Sequence, residues 1–289
     1  MKYLSLVSLL ILFSGPFSAQ GALDGYMKGK GHLDIAPSFS FMRARDFAGT
    51  GGEKYDIPYN GNLLSVFAAY GITDRLDVVV SIPYIFTATQ RGLQDGGFYA
   101  KYRLVNARLG EKSKLSLIAG TGVSLPLSNY EPVAAGALGQ RAIVIPGRLI
   151  VQWDTPWGPF INLTGGYNWR SDDYKEADLA RVKAVRPDYD PPTPPDYTSL
   201  LVKAGLPAAH FYVDGWVEYQ YTPSARGADF VPGAADLAQA YGVTYTQAGG
   251  TIYYSENGKR GVFISGGKIL SGRNVSRILR FTGGIVVKL

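Results

Sequence analysis

The sequence predicts an all-β protein, a transmembrane antiparallel up-and-down β-barrel of about twelve strands. Three observations carry the prediction. From residue 31 to residue 289 the chain divides into segments of period-2 alternation, most of them 10–15 residues long, where strands of soluble proteins run to about 5–6. The links between these segments alternate between short and long. Nothing after residue 21 approaches the roughly 18 continuous apolar residues of a spanning helix. In lipid, only closure into a barrel would satisfy the backbone hydrogen bonds of such a chain.

Composition points the same way. The 289 residues include 36 Gly and 20 Tyr, no Cys, and 18% charged residues. An exported chain without cysteine has no disulfides to hold it. The formal charge of +6 is dispersed, with no Lys/Arg cluster interleaved with aromatics, so nucleic acid is excluded as a partner. The charge suits lipopolysaccharide phosphates outside or an anionic solute inside.

The elements follow in order. Lys2, the apolar run Leu4 to Phe13, the break at Gly15-Pro16 and the small residues of Ala19-Gln20-Gly21 form a secretory signal layout. Residues 1–21 are expected to be removed, with a cut after Ala19 as the competitor, leaving 22–289 as the barrel. Strands are predicted at 31–43, 60–71, 75–88, 96–105, 113–126, 142–153, 158–170, 197–206, 209–221, 244–254, 260–269 and 275–289. The fifth sets Leu115, Leu117, Ala119, Thr121, Val123 and Leu125 against Lys114, Ser116, Gly120, Gly122 and Ser124. The ninth sets Phe211, Val213, Val217, Tyr219 and Tyr221 against Asp214, Glu218 and Gln220. The sixth and twelfth alternate as cleanly, with Arg148 and Arg280 on their polar faces. An apolar face outward and a polar face inward suits lipid; a soluble sandwich would bury the apolar face between sheets. Segments 1, 2, 8 and 11 alternate poorly.

Links after even-numbered segments are short, such as Ile72-Thr73-Asp74-Arg75 and Pro207-Ala208. Links after odd-numbered ones are mostly long: 44–59, 89–95, 127–141, 171–196 and 222–243. This asymmetry of tight periplasmic turns and long outer loops puts both termini in the periplasm. Tyr84, Tyr102, Trp153, Tyr167, Trp169, Tyr219, Tyr221 and Tyr254 fall near segment ends, where aromatic girdles meet headgroups. Residues 279–289 alternate up to a terminal hydrophobe, Leu289, resembling the signal read by the barrel-assembly machinery, whose usual last residue is Phe. Pro83 and Pro126 belong at rims or bulges; Pro37 and Pro146 mark local bends.

A run of blocks carries a family resemblance. Tyr70-Gly71-Ile72-Thr73-Asp74-Arg75-Leu76-Asp77 is followed by Val80-Ser81-Ile82-Pro83-Tyr84. Gly92-Leu93-Gln94-Asp95-Gly96 and Ala100-Lys101-Tyr102-Arg103-Leu104 come next, and Gly120-Thr121-Gly122-Val123-Ser124-Leu125-Pro126 closes the set. Over residues 60–126 this resembles the MetA-pathway (phenol-degradation) outer-membrane transporter family. The resemblance implies the same barrel and, as cargo, aromatic or hydrophobic compounds.

For function, an enzyme is not expected. Two histidines, His32 and His210, lie at the periplasmic starts of their segments without a serine motif that would complete an activated hydroxyl. Two histidines and no cysteine also leave little for a transition metal. No cofactor is implied. The loop acids Asp172, Asp173, Glu176 and Asp178 offer a divalent-cation reading against that of a solvated loop. The expected role is passive uptake of small solutes across the bacterial outer membrane, with outer-membrane lipid as surroundings. A non-transporting structural or partner-binding barrel and an outer-membrane hydrolase are the alternatives. The predicted pore-lining set is Lys101, Arg148, Asp214, Glu218 and Arg280 near mid-height, with Asp77 and Lys114, together with Asp34 and Lys203, lower down; the competing reading pairs these charges with one another to fill the lumen. No plug domain is visible at the N-terminus. Residues 174–184 and 233–241 look helical, the second with Gly242 as its C-cap, and either loop could fold inward as a lid.

Overall fold

The computed structural model describes residues 24–130, 141–171, 174–223, 227–231 and 236–289; the expected signal peptide lies outside them. Twelve long strands form the wall: β1 (Leu33–Ala44), β2 (Tyr59–Gly71), β3 (Leu76–Thr87), β4 (Asp95–Arg108), β5 (Lys114–Pro126), β6 (Val144–Asp154), β7 (Phe160–Arg170), β8 (Tyr197–Pro207), β9 (Phe211–Tyr221), β10 (Thr244–Tyr254), β11 (Arg260–Arg273) and β12 (Leu279–Lys288). Each pairs antiparallel with its sequence neighbours. The ring closes through β1, where Phe41 stands opposite Asn62 of β2 on one side and Phe281 of β12 on the other. The result is a closed twelve-stranded barrel.

Exposed apolar side chains recur on every strand, among them Phe41, Leu64, Leu149, Val217, Ile252 and Phe281. No soluble monomer leaves such a band uncovered; here it faces lipid. Tyr167, Trp169, Tyr219 and Tyr221 mark its outer edge and Tyr254 its inner edge, all exposed. Trp153, near the inner edge, donates its indole N–H to Ser113 Oγ at 2.9 Å.

The interior is packed by a repeated device. An inward aromatic lies flat over a glycine on its own or a neighbouring strand, where a Cβ would collide with the ring. Phe160 covers Gly205, Tyr253 covers Gly261, Phe263 covers Gly284, and Tyr99 covers Gly97 and Gly122, each at 2.2–2.6 Å from the position a Cβ would take. Much of the glycine content is thus the room that rings need to lie along the wall.

Prolines interrupt the ladder where their missing N–H would have donated. Pro37 keeps its register with Val66 of β2, but the β1–β12 pairing skips from Ile35 to Ser38. Pro146 likewise pairs with Asn168 of β7 while the β5–β6 pairing jumps from Thr121–Gly147 to Ser124–Val144. Pro83 sits where the lower part of β3 pairs with β4 and its upper part with residues 91–93.

Two strands outrun their expected ends, and each carries a bulge, which inserts one unpaired residue. The register shifts between Arg103 and Val105, and opposite Thr246/Gln247 at Leu270. The last strand starts later than predicted, at Leu279. Asn274, in the left-handed region at φ 55°, turns the chain away, and Val275–Ser276 pairs with Phe47–Ala48 in a small outer sheet completed by Lys54–Tyr55.

The outer loops interlock. The expected helix forms as α1 (Glu176–Val185). Its buried Asp178 accepts from Arg141 Nη1 at 3.0 Å, so it serves a loop contact. The second expected helix is corrected: Ala238–Ala240 is a single 3-10 turn, Tyr241 after it is extended, and Gly242 caps nothing; residues 233–235 lie outside the described ones. Leu237 instead packs with Val182 and Tyr189, and Phe230 meets the rings of Phe47, Tyr55 and Tyr241 at tilted and edge-on angles. Asn274 donates to the Gly242 carbonyl at 3.1 Å, and Arg277 Nη2 meets Asp46 Oδ2 at 2.6 Å.

Candidate functional site

The lumen is divided into a closed lower part and a hollow upper part. Residues 24–32, ahead of β1, turn into the barrel at the periplasmic end. Lys101 anchors them: its Nζ meets Asp24 Oδ1 at 2.5 Å, the Tyr26 carbonyl, and Asp77 Oδ2 at 3.6 Å, with all three side chains buried. The Lys28 amide donates to Asp77 Oδ2 at 2.8 Å and Lys28 Nζ pairs with Asp34 at 2.8 Å. Gly31 N donates to the Gly71 carbonyl at 2.8 Å, and the backbones come so close that a Cβ on Gly71 would stand 1.9 Å from the Gly29 oxygen.

Below the hollow, the Tyr26 ring meets Phe160 edge-on at 5.7 Å, and Phe160 stacks on Tyr212 at 5.7 Å. Tyr253 and Val286 complete this floor. Burial works to raise the Asp24 carboxyl, but Lys101 and Lys28 outweigh it and hold it below the ordinary carboxylate range. Burial likewise works to lower Lys28, and Asp24 and Asp34 outweigh it, so its ammonium sits above the usual lysine value.

Above the floor lies a chamber of about 510 Å³, within the span of small-molecule sites. One part of its wall is apolar: Leu63, Phe67, Leu201, Trp216, Phe263 and Ile269. Another is hydroxylic: Ser38, Ser40, Ser65, Thr251, Ser265 and Thr282. The hydroxyls are tied in cross-strand pairs, Ser38 to Ser65 at 2.9 Å, Ser40 to Thr282 at 2.8 Å and Thr251 to Ser265 at 3.2 Å. Such pairs offer both donors and acceptors to a guest.

The predicted luminal charges divide between the two parts. Lys101 and Asp77 hold the N-terminal segment. Both belong to one level, since they are register partners, which places Lys101 lower than the mid-height expected of it. Asp214 is also low, accepting from the Tyr212 hydroxyl at 2.8 Å and facing Lys203 at 3.6 Å. Arg148 bonds Asn168 Oδ1 at 2.7 Å over Gly166. Lys114 is half-buried at the periplasmic end of β5, opposite Asp154. Glu218 and Arg280 line the chamber, Glu218 accepting from Gln247 Nε2 at 2.5 Å, and Asp34 and Lys203 line it as well.

His32 and His210 are exposed at the periplasmic turns, and no histidine is among the residues lining the chamber. The acid cluster of the helical loop does not converge either: Asp172 and Asp173 lie outside the described residues, Glu176 is exposed, and Asp178 is taken by Arg141.

Sequence reasoning missed the inward N-terminal segment and the chamber's apolar wall. One signal was present: Asp24, Tyr26 and Lys28 put charge and an aromatic ring just after the expected cleavage site, where a mere linker would carry neither.

No family model and no curated protein matches the sequence, so the resemblance to the phenol-pathway family rests on its motifs alone. Solved structures do match. The COG4313 outer membrane channel from Pseudomonas putida F1 aligns over 93% of this chain and 100% of its own, at 14% identity and a TM-score of 0.62. The NanC porin aligns over 89% of this chain and 100% of its own, at 9% identity and a TM-score of 0.51. At such identities the likeness is one of fold. With its lipid-facing apolar band, this is a barrel of the bacterial outer membrane.

Proposed function

We propose that this barrel is a channel for passive uptake of small solutes with an apolar body, aromatic or hydrophobic compounds among them. One observation carries the reading: a hollow of ligand size inside the wall, with apolar and hydroxylic stretches and a few charged groups, Glu218 and Arg280 among them. A water-filled porin lumen would be polar throughout, and a packed barrel would leave no hollow. The motif resemblance points to the same cargo, and the general fold is shared with outer-membrane channels. The residues assigned to the solute path are the chamber-lining Glu218 and Arg280. Of the remaining predicted charges, Lys101, Asp77, Asp214 and Lys114 act on that path from the lower lumen, and Arg148 acts beside Glu218.

The N-terminal segment and the interlocked loops also support a second reading, a structural barrel that passes nothing. Uptake of a small aromatic alcohol by cells lacking and overproducing the protein, with planar-bilayer conductance of the refolded barrel, separates the two. Faster uptake is expected; unchanged uptake and no conductance would leave the structural barrel.

A further inference from the structure

The structure assigns to the chamber a ligand class narrower than hydrophobic: an amphipathic monoanion, with its carboxylate at Arg280 and its apolar body along Trp216. This rests on the chamber being the solute site, and it begins with a row of residues that pairing brings into one line. Trp216 is the register partner of Gly249, Gly249 of Gly267, and Gly267 of Arg280. Four strands thus present one rung to the lumen with an indole at one end, a guanidinium at the other and two glycines between them.

The glycines are what make the rung a platform. A Cβ on Gly249 would stand 2.5 Å from the Trp216 ring, and one on Gly267 would stand 3.1 Å from it. The indole therefore lies across both toward Arg280, and its far edge reaches within one strand spacing, about 4.8 Å, of the arginine's strand.

The charges decide what binds there. The two lysines of the chamber have carboxylates: Lys28 has Asp34 at 2.8 Å and Lys203 has Asp214 at 3.6 Å. Glu218 accepts from Gln247, and its field falls on Arg148. The Arg280 guanidinium has no hydrogen-bond or ion-pair partner among the described residues, and the titratable groups that act on it are the phenols of Tyr59 and Tyr245. One inward step along β12, Thr282 shares its hydroxyl bond with the buried Ser40. A carboxylate bridging Arg280 and this hydroxyl pair would be held by charge-assisted bonds, of which a guanidinium can make two in parallel. Its hydrocarbon would lie on the indole and against Leu63 and Ile269. A neutral alcohol of the same shape gains the apolar contact and leaves the cation unanswered.

The test compares 4-phenylbutyrate with 4-phenyl-1-butanol on the full barrel in nanodiscs, read by Trp216 fluorescence against empty discs, with Trp216→Phe identifying the signal. The acid should bind about tenfold more tightly than the alcohol. Arg280→Gln should bring the acid down to the alcohol's level, and Arg280→Lys should keep part of the preference. Heat-modifiable gel mobility checks that each variant is folded. Equal binding of acid and alcohol, or an acid preference that survives Arg280→Gln, overturns the anion assignment and leaves the chamber as a solute site. If neither compound binds, the solute-site reading falls with it.

Discussion

Below Ala36 and Val286 the lumen is filled by an extra segment of chain, its carboxylates are paired with lysines, and its aromatics touch one another. Above that level the same twelve strands enclose a hollow with an apolar stretch and a hydroxylic stretch, and the Arg280 guanidinium there has no counter-ion among the described residues. The lower part resembles a small core, in which each buried charge is answered because an unanswered one would be costly. The upper part leaves the Arg280 guanidinium without a carboxylate among the described residues, although the floor too has polar atoms without a partner, such as the Tyr253 hydroxyl. Lys28, Asp34 and Lys203 stand at the boundary: they are paired, and they also form part of the chamber wall.

The comparison can be broken most directly at Lys101. Lys101→Ala leaves Asp24 and Asp77 buried without their cation and should weaken docking of residues 24–32 by about 3–5 kcal/mol. Proteolytic nicking of that segment and a rise in conductance would report it. Wild-type conductance and protection would mean that the floor does not depend on the ion pairs. Replacing all three together (Lys101→Met, Asp24→Asn, Asp77→Asn) should recover much of the loss.

Gly71→Ala should act on the same floor from the other side, through backbone approach rather than charge. Its methyl group cannot coexist with the Gly29 carbonyl at 1.9 Å, and displacing main chain costs about 1–3 kcal/mol. Limited proteolysis should show release of the segment while barrel mobility on gels stays normal.

A pH series gives a smaller effect with a definite sign. Asp24 is held below its ordinary 3.8, so its contribution to docking is complete above that value and fades as pH falls through the lowered one. Lys28 is held above 10.5, so its contribution is complete below that value and fades as pH rises through the raised one. Docking should be flat across neutral pH and weaken in acid only below the ordinary carboxylate value of 3.8. Conductance that climbs already between pH 5 and 8 would contradict this.

The smallest change in stability, within about 0.5 kcal/mol, is expected of Glu218→Gln, which keeps a partner for Gln247 and removes one negative charge from the chamber. Reversal-potential measurements should move toward anions. No movement would mean that Glu218 does not face the path.

How legible all this was differs by region. Strands β5, β6, β9 and β12 alternate cleanly because their outward positions are greasy and their inward ones polar or small. Strands β1, β2, β8 and β11 alternate poorly, and the structure shows why: Ala36, Leu63, Phe67, Leu201, Phe263 and Ile269 are apolar on the inward face, where they line the chamber. The blurred pattern was itself the trace of the candidate site. Local rules fail where a function asks for something other than lipid outside and water inside.

The sequence by itself determined the strands, their number, their short and long links and the face that meets lipid, because each depends on residues two apart or on the composition of a single turn. Only the tertiary structure decided that Asp24 would meet Lys101, 77 positions away, and that Trp216 and Arg280 would share one rung with two glycines between them. Barrel closure and strand register bring those groups together, and register depends on how all twelve strands fit at once.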